Sequence, residues 1–498
     1  MEAEKTILDF FKEETNRTFT ENGAETLSST NSYCLDFFAL GAALRDAEEN
    51  RIQNLFINAY NENPDIALKI LFFLRDVRGG LGERKVFRTL LKVLAENYKN
   101  SLLKNLEYIA EFGRFDDLLC LLETSAKNEV LFAIKKMLLA DKKALEEEKD
   151  VSLLAKWLPS INASDKNAVK SAKIISTYLD LNCAEYRKLI SALRAKIKII
   201  ENNLRTKDYS FDYEKQPSKA LFKYRKAFAR NDKERYENFL QKVEKGEATL
   251  KTSTLFPYDV ISPILKNCYG TVNKKFSAEE RRAMNTTWEN LEDFTGDKNA
   301  LVVCVVSGSM FDCGNPLPIE VAVSLAIYFA EKNAGLFKNH FITFSDYPKL
   351  VEIKGKDIVE KVENVIESDW EMSTNIEAVF NLILRTAVKN ALPQNEMPES
   401  VYIISDMEFN ACTKNASLTN FENAKEMFEQ ACYKLPNLVF WNVQSRQNNF
   451  PVAKNEQGVV LVSGASPRIF SMLKDNKLNP YEFMLFVIEN ERYAKIVA

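Results

Sequence analysis

The sequence predicts a multidomain protein of mixed class: an N-terminal helical-repeat region followed by an α/β region with a doubly wound, mostly parallel sheet. Three observations predict it. At 498 residues the chain exceeds the size at which a single hydrophobic core keeps growing. Between about residues 32 and 200, apolar residues recur at helical spacing. Beyond about residue 300, short apolar runs alternate with helical stretches, as in a sheet covered by helices on both faces. The expected division is 1–290 helical and 291–498 α/β.

In the helical part, Ile66, Ile70, Leu71 and Leu74, then Val86, Leu90, Leu91 and Leu94, form successive apolar stripes. Asn63-Pro64-Asp65 opens one helix, with Pro64 in the first turn where its missing N–H costs nothing. Arg78-Gly79-Gly80-Leu81-Gly82 ends it, and Glu83-Arg84-Lys85 begins its partner. Glu111 to Asp117 repeats the device before a further apolar block. Stacked helical pairs of this kind predict a HEAT-like solenoid, although no strict period is present.

Residues 184–240 form the most basic stretch, with 15 Lys or Arg against 8 Asp or Glu, a net charge of +7 (15 − 8). Tyr209, Phe211, Tyr213, Phe222, Tyr224, Phe228 and Tyr236 are interleaved with Arg205, Lys207, Lys215, Lys219, Lys223, Arg225, Lys226 and Arg230. Two readings stand side by side. Basic groups neutralising phosphates beside aromatic faces would bind single-stranded or small structured RNA, with Lys215, Lys219, Lys223, Arg225, Lys226 and Arg230 as contacts. Alternatively, the spacing of Phe222, Arg225 and Phe228 places the aromatics in a core and leaves the lysines as a solvated face.

Residues 241–300 are polar and connect the two parts through short helices. Strands are then expected at 301–306, 340–344, 401–404, 438–442 and 459–462, with helices at 319–332, 376–384 and 423–433 between them. Ligands of such sheets bind beyond the carboxyl ends of the strands, where Ser307, Ser309 and Asp406 fall. With Thr374, these residues offer hard oxygens suited to Mg²⁺, which takes six at roughly 2.0–2.1 Å. Val305, two positions before Ser307, supplies neither an oxygen nor a negative charge, which leaves Asp406 as the one carboxylate of this set, so the expected affinity is weakened or lost. Asp312 lies close by at a spacing that does not match.

Composition bounds the remaining possibilities. Hydrophobic residues at 46%, charged residues at 28% and a net charge of −3 describe an ordinary globular protein with no overall preference for anionic or cationic partners. Eight scattered cysteines, none in Cys-x-x-Cys spacing, predict reduced thiols. The acidic N-terminus and the absence of any apolar run of about 18 residues predict a cytoplasmic protein without a membrane span. His340 is the only histidine, and no Walker loop, dinucleotide fingerprint or nucleophile elbow occurs, so an enzyme is not expected.

The Val-Val-Ser-Gly-Ser-Met run resembles the strand-end loop of a von Willebrand A domain with a degenerate metal-ion-dependent adhesion site. Ordered motifs extend the likeness over nearly the whole chain: Arg75 to Gly80 with Gly82-Glu83-Arg84, Glu111 to Leu118, Ala155 to Ser160, Pro217 to Ala220, Ser405 to Phe409 and Val439 to Asn442. On these the chain is identified as a member of domain-of-unknown-function family 2828. That family is itself similar to the TROVE and von Willebrand A architecture of the Ro ribonucleoprotein autoantigen. The resemblance implies a non-enzymatic RNA-binding scaffold, with Ser307, Ser309, Thr374 and Asp406 at the metal positions. An adaptor gripping a protein partner through the A-like part, with or without a divalent metal, is the alternative.

Overall fold

The computed structural model describes residues 6–498 except 198, 266–271, 274, 297–298, 306, 312–313, 369–373, 412–418 and 474–478. It is helical toward the N-terminus, with a mostly parallel six-stranded sheet toward the C-terminus. The chain divides into two compact units, one of residues 1–70 and 252–492 and one of residues 71–251 and 493–498. Both differ from the single boundary expected at 290, because periodicity reports that a segment is helical and not what its apolar face meets.

The first unit is built on the sheet. A short antiparallel hairpin, β1 (Arg17–Phe19) and β2 (Glu25–Leu27), precedes it in sequence. The six strands are β3 (Ala300–Cys304), β4 (His340–Thr343), β5 (Leu350–Glu352), β6 (Ser400–Ser405), β7 (Asn437–Asn442) and β8 (Val459–Ser463). Their order is β5-β4-β3-β6-β7-β8, parallel except for the edge strand β5, which runs antiparallel to β4 and was not anticipated. β3, β6 and β8 are buried along their whole length, and β7 at all but Asn437, so they read as continuous apolar runs rather than alternating ones. Trp441 is fully buried on β7, and its Nε1 donates to Gly464 O at 2.7 Å.

Segments expected in the helical region complete this unit. The Tyr33–Leu40 helix begins at Ser32, whose hydroxyl accepts from Leu35 N. It sets Phe38 edge-on to Phe483 at 6.2 Å, and Ala42 N donates to Ser463 Oγ at 3.1 Å. From the connector, Arg281 in the Ala278–Glu289 helix pairs with Asp357 at 2.7 Å, and Trp288 Nε1 donates to Glu331 at 2.6 Å.

In the second unit the described α-helices range from four residues (Leu154–Trp157) to twenty (Lys127–Glu146). Two of the glycine-bearing motifs meet there in a buried ion cluster. Arg75 Nε and Nη2 each lie 2.8 Å from Asp117 Oδ2, Arg88 Nε lies 2.6 Å from Oδ1, and Arg114 N donates to Oδ2 at 2.9 Å. Arg75 and Asp117 are 2% and 0% exposed, so each charge depends on the other. Gly113 has no room for a side chain, since a Cβ there would sit 2.3 Å from Asp117 Oδ2. The Ala155 to Ser160 motif is clasped by Arg194, which donates to Ala155 O, Leu158 O and Ser160 Oγ at 2.7–2.9 Å. Residues 493–498, expected with the sheet, pack here: Tyr493 stacks on Phe112 and donates to Asp76 Oδ2 at 3.0 Å.

Candidate functional site

Beyond the carboxyl ends of β3 and β6, three of the four predicted metal positions converge. Ser307 Oγ lies 2.8 Å from Ser309 Oγ, and Ser309 Oγ donates to Asp406 Oδ2 at 2.8 Å. Asp406 directly follows β6 and is 2% exposed. Val305 is fully buried and continues the strand pairing through Val305 N to Ile404 O at 3.2 Å. Thr374 is engaged elsewhere: its hydroxyl lies 2.8 Å from Glu408 O and 2.9 Å from Asn410 Oδ1, and accepts from Asn22 Nδ2 at 3.2 Å. Among the described residues no hydrogen bond joins it to the other three. Asp312 lies outside the described residues.

A charged group that sequence reasoning missed completes the site. Arg446, in the loop after β7, places Nη2 3.0 Å from Asp406 Oδ2 and Nη1 3.0 Å from Glu21 Oε2. Its loop is fixed by Arg51, whose guanidinium donates to Ser445 O and Arg446 O at 2.8 Å and to Gln447 O at 2.6 Å. Glu408 is also buried. Its Oε2 accepts from Glu21 N at 2.7 Å, and both oxygens face Asn449 Nδ2 at 2.9 and 3.0 Å. Burial pushes its carboxyl up to about 7, against the Glu21 N–H bond that favours the charged form. The only signal for Arg446 in the sequence was its place after a strand that neighbours β6, and nothing local distinguished it from a solvated loop arginine.

This donor set does not fit Mg²⁺. Among the described residues the cluster holds one carboxylate, two hydroxyls and a guanidinium already bound to that carboxylate's Oδ2. A dication there would repel the arginine, and among the described residues no second carboxylate joins Asp406 in the hydroxyl cluster to offset it. Among the described residues no group of three or more His, Cys, Asp or Glu side chains could hold a metal ion.

The predicted nucleic-acid residues lie in the second unit, mostly on the Ser218–Asn231 helix, which carries five basic residues and no acidic one. Lys219, Lys223, Lys226 and Arg230 are exposed, and their spacing of four, three and four sets them on one face. Arg225 does not join them. It is buried, stacks on Phe222 at 4.1 Å and donates to Phe222 O at 2.8 Å, because it lies on the apolar side of the same helix. Lys215 precedes the helix, exposed, 3.4 Å from Asp212. Tyr213, Phe222, Phe228 and Tyr236 are buried, with Tyr213 5.3 Å from Phe228 and 5.4 Å from Tyr236, so these aromatics form a core and offer no face to a base. His340 Nδ1 lies 2.7 Å from Lys338 O, on β4. No described helix is long and apolar enough to cross a membrane.

The profile described as Domain of unknown function (DUF2828) matches residues 20–144 and 131–298, and that described as Domain of unknown function (DUF7788) matches 299–491. The chain is 28% identical over 518 residues to Uncharacterized protein L728 of Acanthamoeba polyphaga mimivirus, an alignment covering 95% of this chain and 87% of that one. Among solved structures it is similar to the Ro (RSR) protein of Deinococcus radiodurans, with a TM-score of 0.39 and 12% identity, covering 93% of this chain and all of that one.

Proposed function

This chain belongs to the family described as Domain of unknown function (DUF2828), and from that premise we propose that it is a non-enzymatic RNA-binding scaffold gripping the phosphate backbone through the Ser218–Asn231 helix. The observation that supports this reading most is the exposed stripe of Lys219, Lys223, Lys226 and Arg230. At 1.5 Å per residue the stripe runs about 16 Å, enough to follow several phosphates. Because Tyr213, Phe222, Phe228 and Tyr236 are buried and Tyr224 is half-buried beside Lys223, the binding is chiefly electrostatic and indifferent to sequence. The sheet half is read as von Willebrand A-like and the helical half as HEAT-like, each a rigid frame for surfaces rather than a reaction centre.

Fluorescence anisotropy with a labelled single-stranded RNA, repeated over a salt series, tests the proposal. Four phosphate contacts give a slope of log K against log salt of about −3, so affinity should drop roughly 50-fold between 50 and 200 mM salt. Replacing the four stripe residues together by glutamine should remove most of that slope while leaving the helical circular dichroism intact. No binding by the wild-type protein at low salt, or equal binding by the variant, refutes it.

A further inference from the structure

The strand-end site carries charges that the metal motif does not account for. Asp406 Oδ2 accepts from Ser309 Oγ at 2.8 Å and from Arg446 Nη2 at 3.0 Å, while the other end of the same guanidinium holds Glu21 at 3.0 Å. Glu21 lies in the turn between β1 and β2, and that turn is bonded along the loop after β6. Thr20 Oγ1 donates to Phe409 O at 2.6 Å, Asn22 Nδ2 to Glu408 O at 2.7 Å, and Ala411 N to Asn22 O at 3.2 Å.

We infer that Arg446 is the resident cation of this site and Glu21 its resident acid, so that the site is a metal-independent lock fastening the N-terminal hairpin across the strand ends. Two departures from a cation site act together. Val305 withholds a carboxylate, and Arg446 supplies a positive charge 3.0 Å from Asp406 Oδ2. With Asp406 as the single acid in the hydroxyl cluster among the described residues, one guanidinium balances it, and the spare half of its fork takes Glu21. It follows that restoring aspartate at 305 does not restore a metal site, because the guanidinium remains. Removing Arg446 alone does not either, because among the described residues Asp406 remains the one carboxylate bonded into the hydroxyl cluster.

The experiment titrates the full-length protein with Mn²⁺, read by calorimetry and by thermal shift against EDTA. Wild type and Val305→Asp should show no saturable binding at millimolar Mn²⁺ and no shift. The Val305→Asp/Arg446→Gln double variant should bind at least roughly tenfold more tightly than either single variant and gain a Mn²⁺-dependent stabilisation. Saturable binding by the wild-type protein that is lost in Asp406→Asn overturns the inference, as does Val305→Asp binding as tightly as the double variant. Glu21→Gln tests the lock without touching the hydroxyl cluster. Hydrogen exchange at the Glu21 and Ala411 amides should quicken severalfold, and unchanged exchange there would refute the role given to Glu21.

Discussion

Replacing Asp117 by asparagine probes what the glycine-bearing motifs are for. The side chain keeps its shape but loses its charge, leaving Arg75 2% exposed with no anion on its Nε and Nη2. Removing one partner of a buried pair typically costs about 3–5 kcal/mol, since the surviving charge is stranded in low dielectric. Arg88 is 28% exposed and can turn to water, so its lost bond adds little. For a unit of this size each kcal/mol lowers the midpoint by roughly 2–4 °C, which predicts a fall of about 6–20 °C. Thermal unfolding by far-ultraviolet circular dichroism measures it, and hydrogen exchange at Arg114 N, which donates to Asp117 Oδ2 at 2.9 Å, assigns the loss to the second unit. Replacing the pair together, Arg75→Met with Asp117→Leu, should be milder than Asp117→Asn alone. A midpoint shift under about 2 °C for Asp117→Asn would show that the pair carries no stability and that the motifs serve something other than the fold.

Two further outcomes are expected. Burial raises the Glu408 carboxyl from 4.5 to about 7, so its contribution to stability is full below 4.5 and is lost as pH climbs to about 7. Asp36, raised from 3.8 to about 6, adds a slope that ends earlier, so Glu408→Gln should flatten the midpoint between about pH 6 and 7 and leave the Asp36 slope below it, as read by differential scanning fluorimetry over a pH series. Gly80→Ala should cost about 1–3 kcal/mol in denaturant unfolding, because a Cβ there would lie 2.1 Å from the Phe73 carbonyl oxygen.

Much of the site was legible because it depends on chain order. Ser307, Ser309 and Asp406 had to converge once β3 and β6 were recognised as parallel strands, and register alone carries their loops to the same edge. Lys219, Lys223, Lys226 and Arg230 likewise follow from helical period, as does the burial of Phe222 and Phe228. Arg225 is the instructive case. Its spacing from the two phenylalanines placed it on the apolar face, while its charge placed it among the contacts, and the helix kept it inside by stacking its guanidinium on Phe222 and satisfying one donor within the same turn.

By itself, then, the sequence determined the class of the long helical segments and of the five parallel strands, the strand-end position of the hydroxyl cluster, the missing acid at 305 and the basic face of one helix, because all of these are set by local period and chain order, whereas the short strands β1, β2 and β5 carry too few residues to show a period. Only tertiary structure decided that residues 33–62 belong with the sheet, that 493–498 return to the helical unit, and that Arg75 meets Asp117 across 42 positions. It also decided the charge at the strand-end site. Arg446 reaches Asp406 from 40 residues away and Glu21 from the far end of the chain, and ion pairing of that range is fixed by which loops the fold brings face to face.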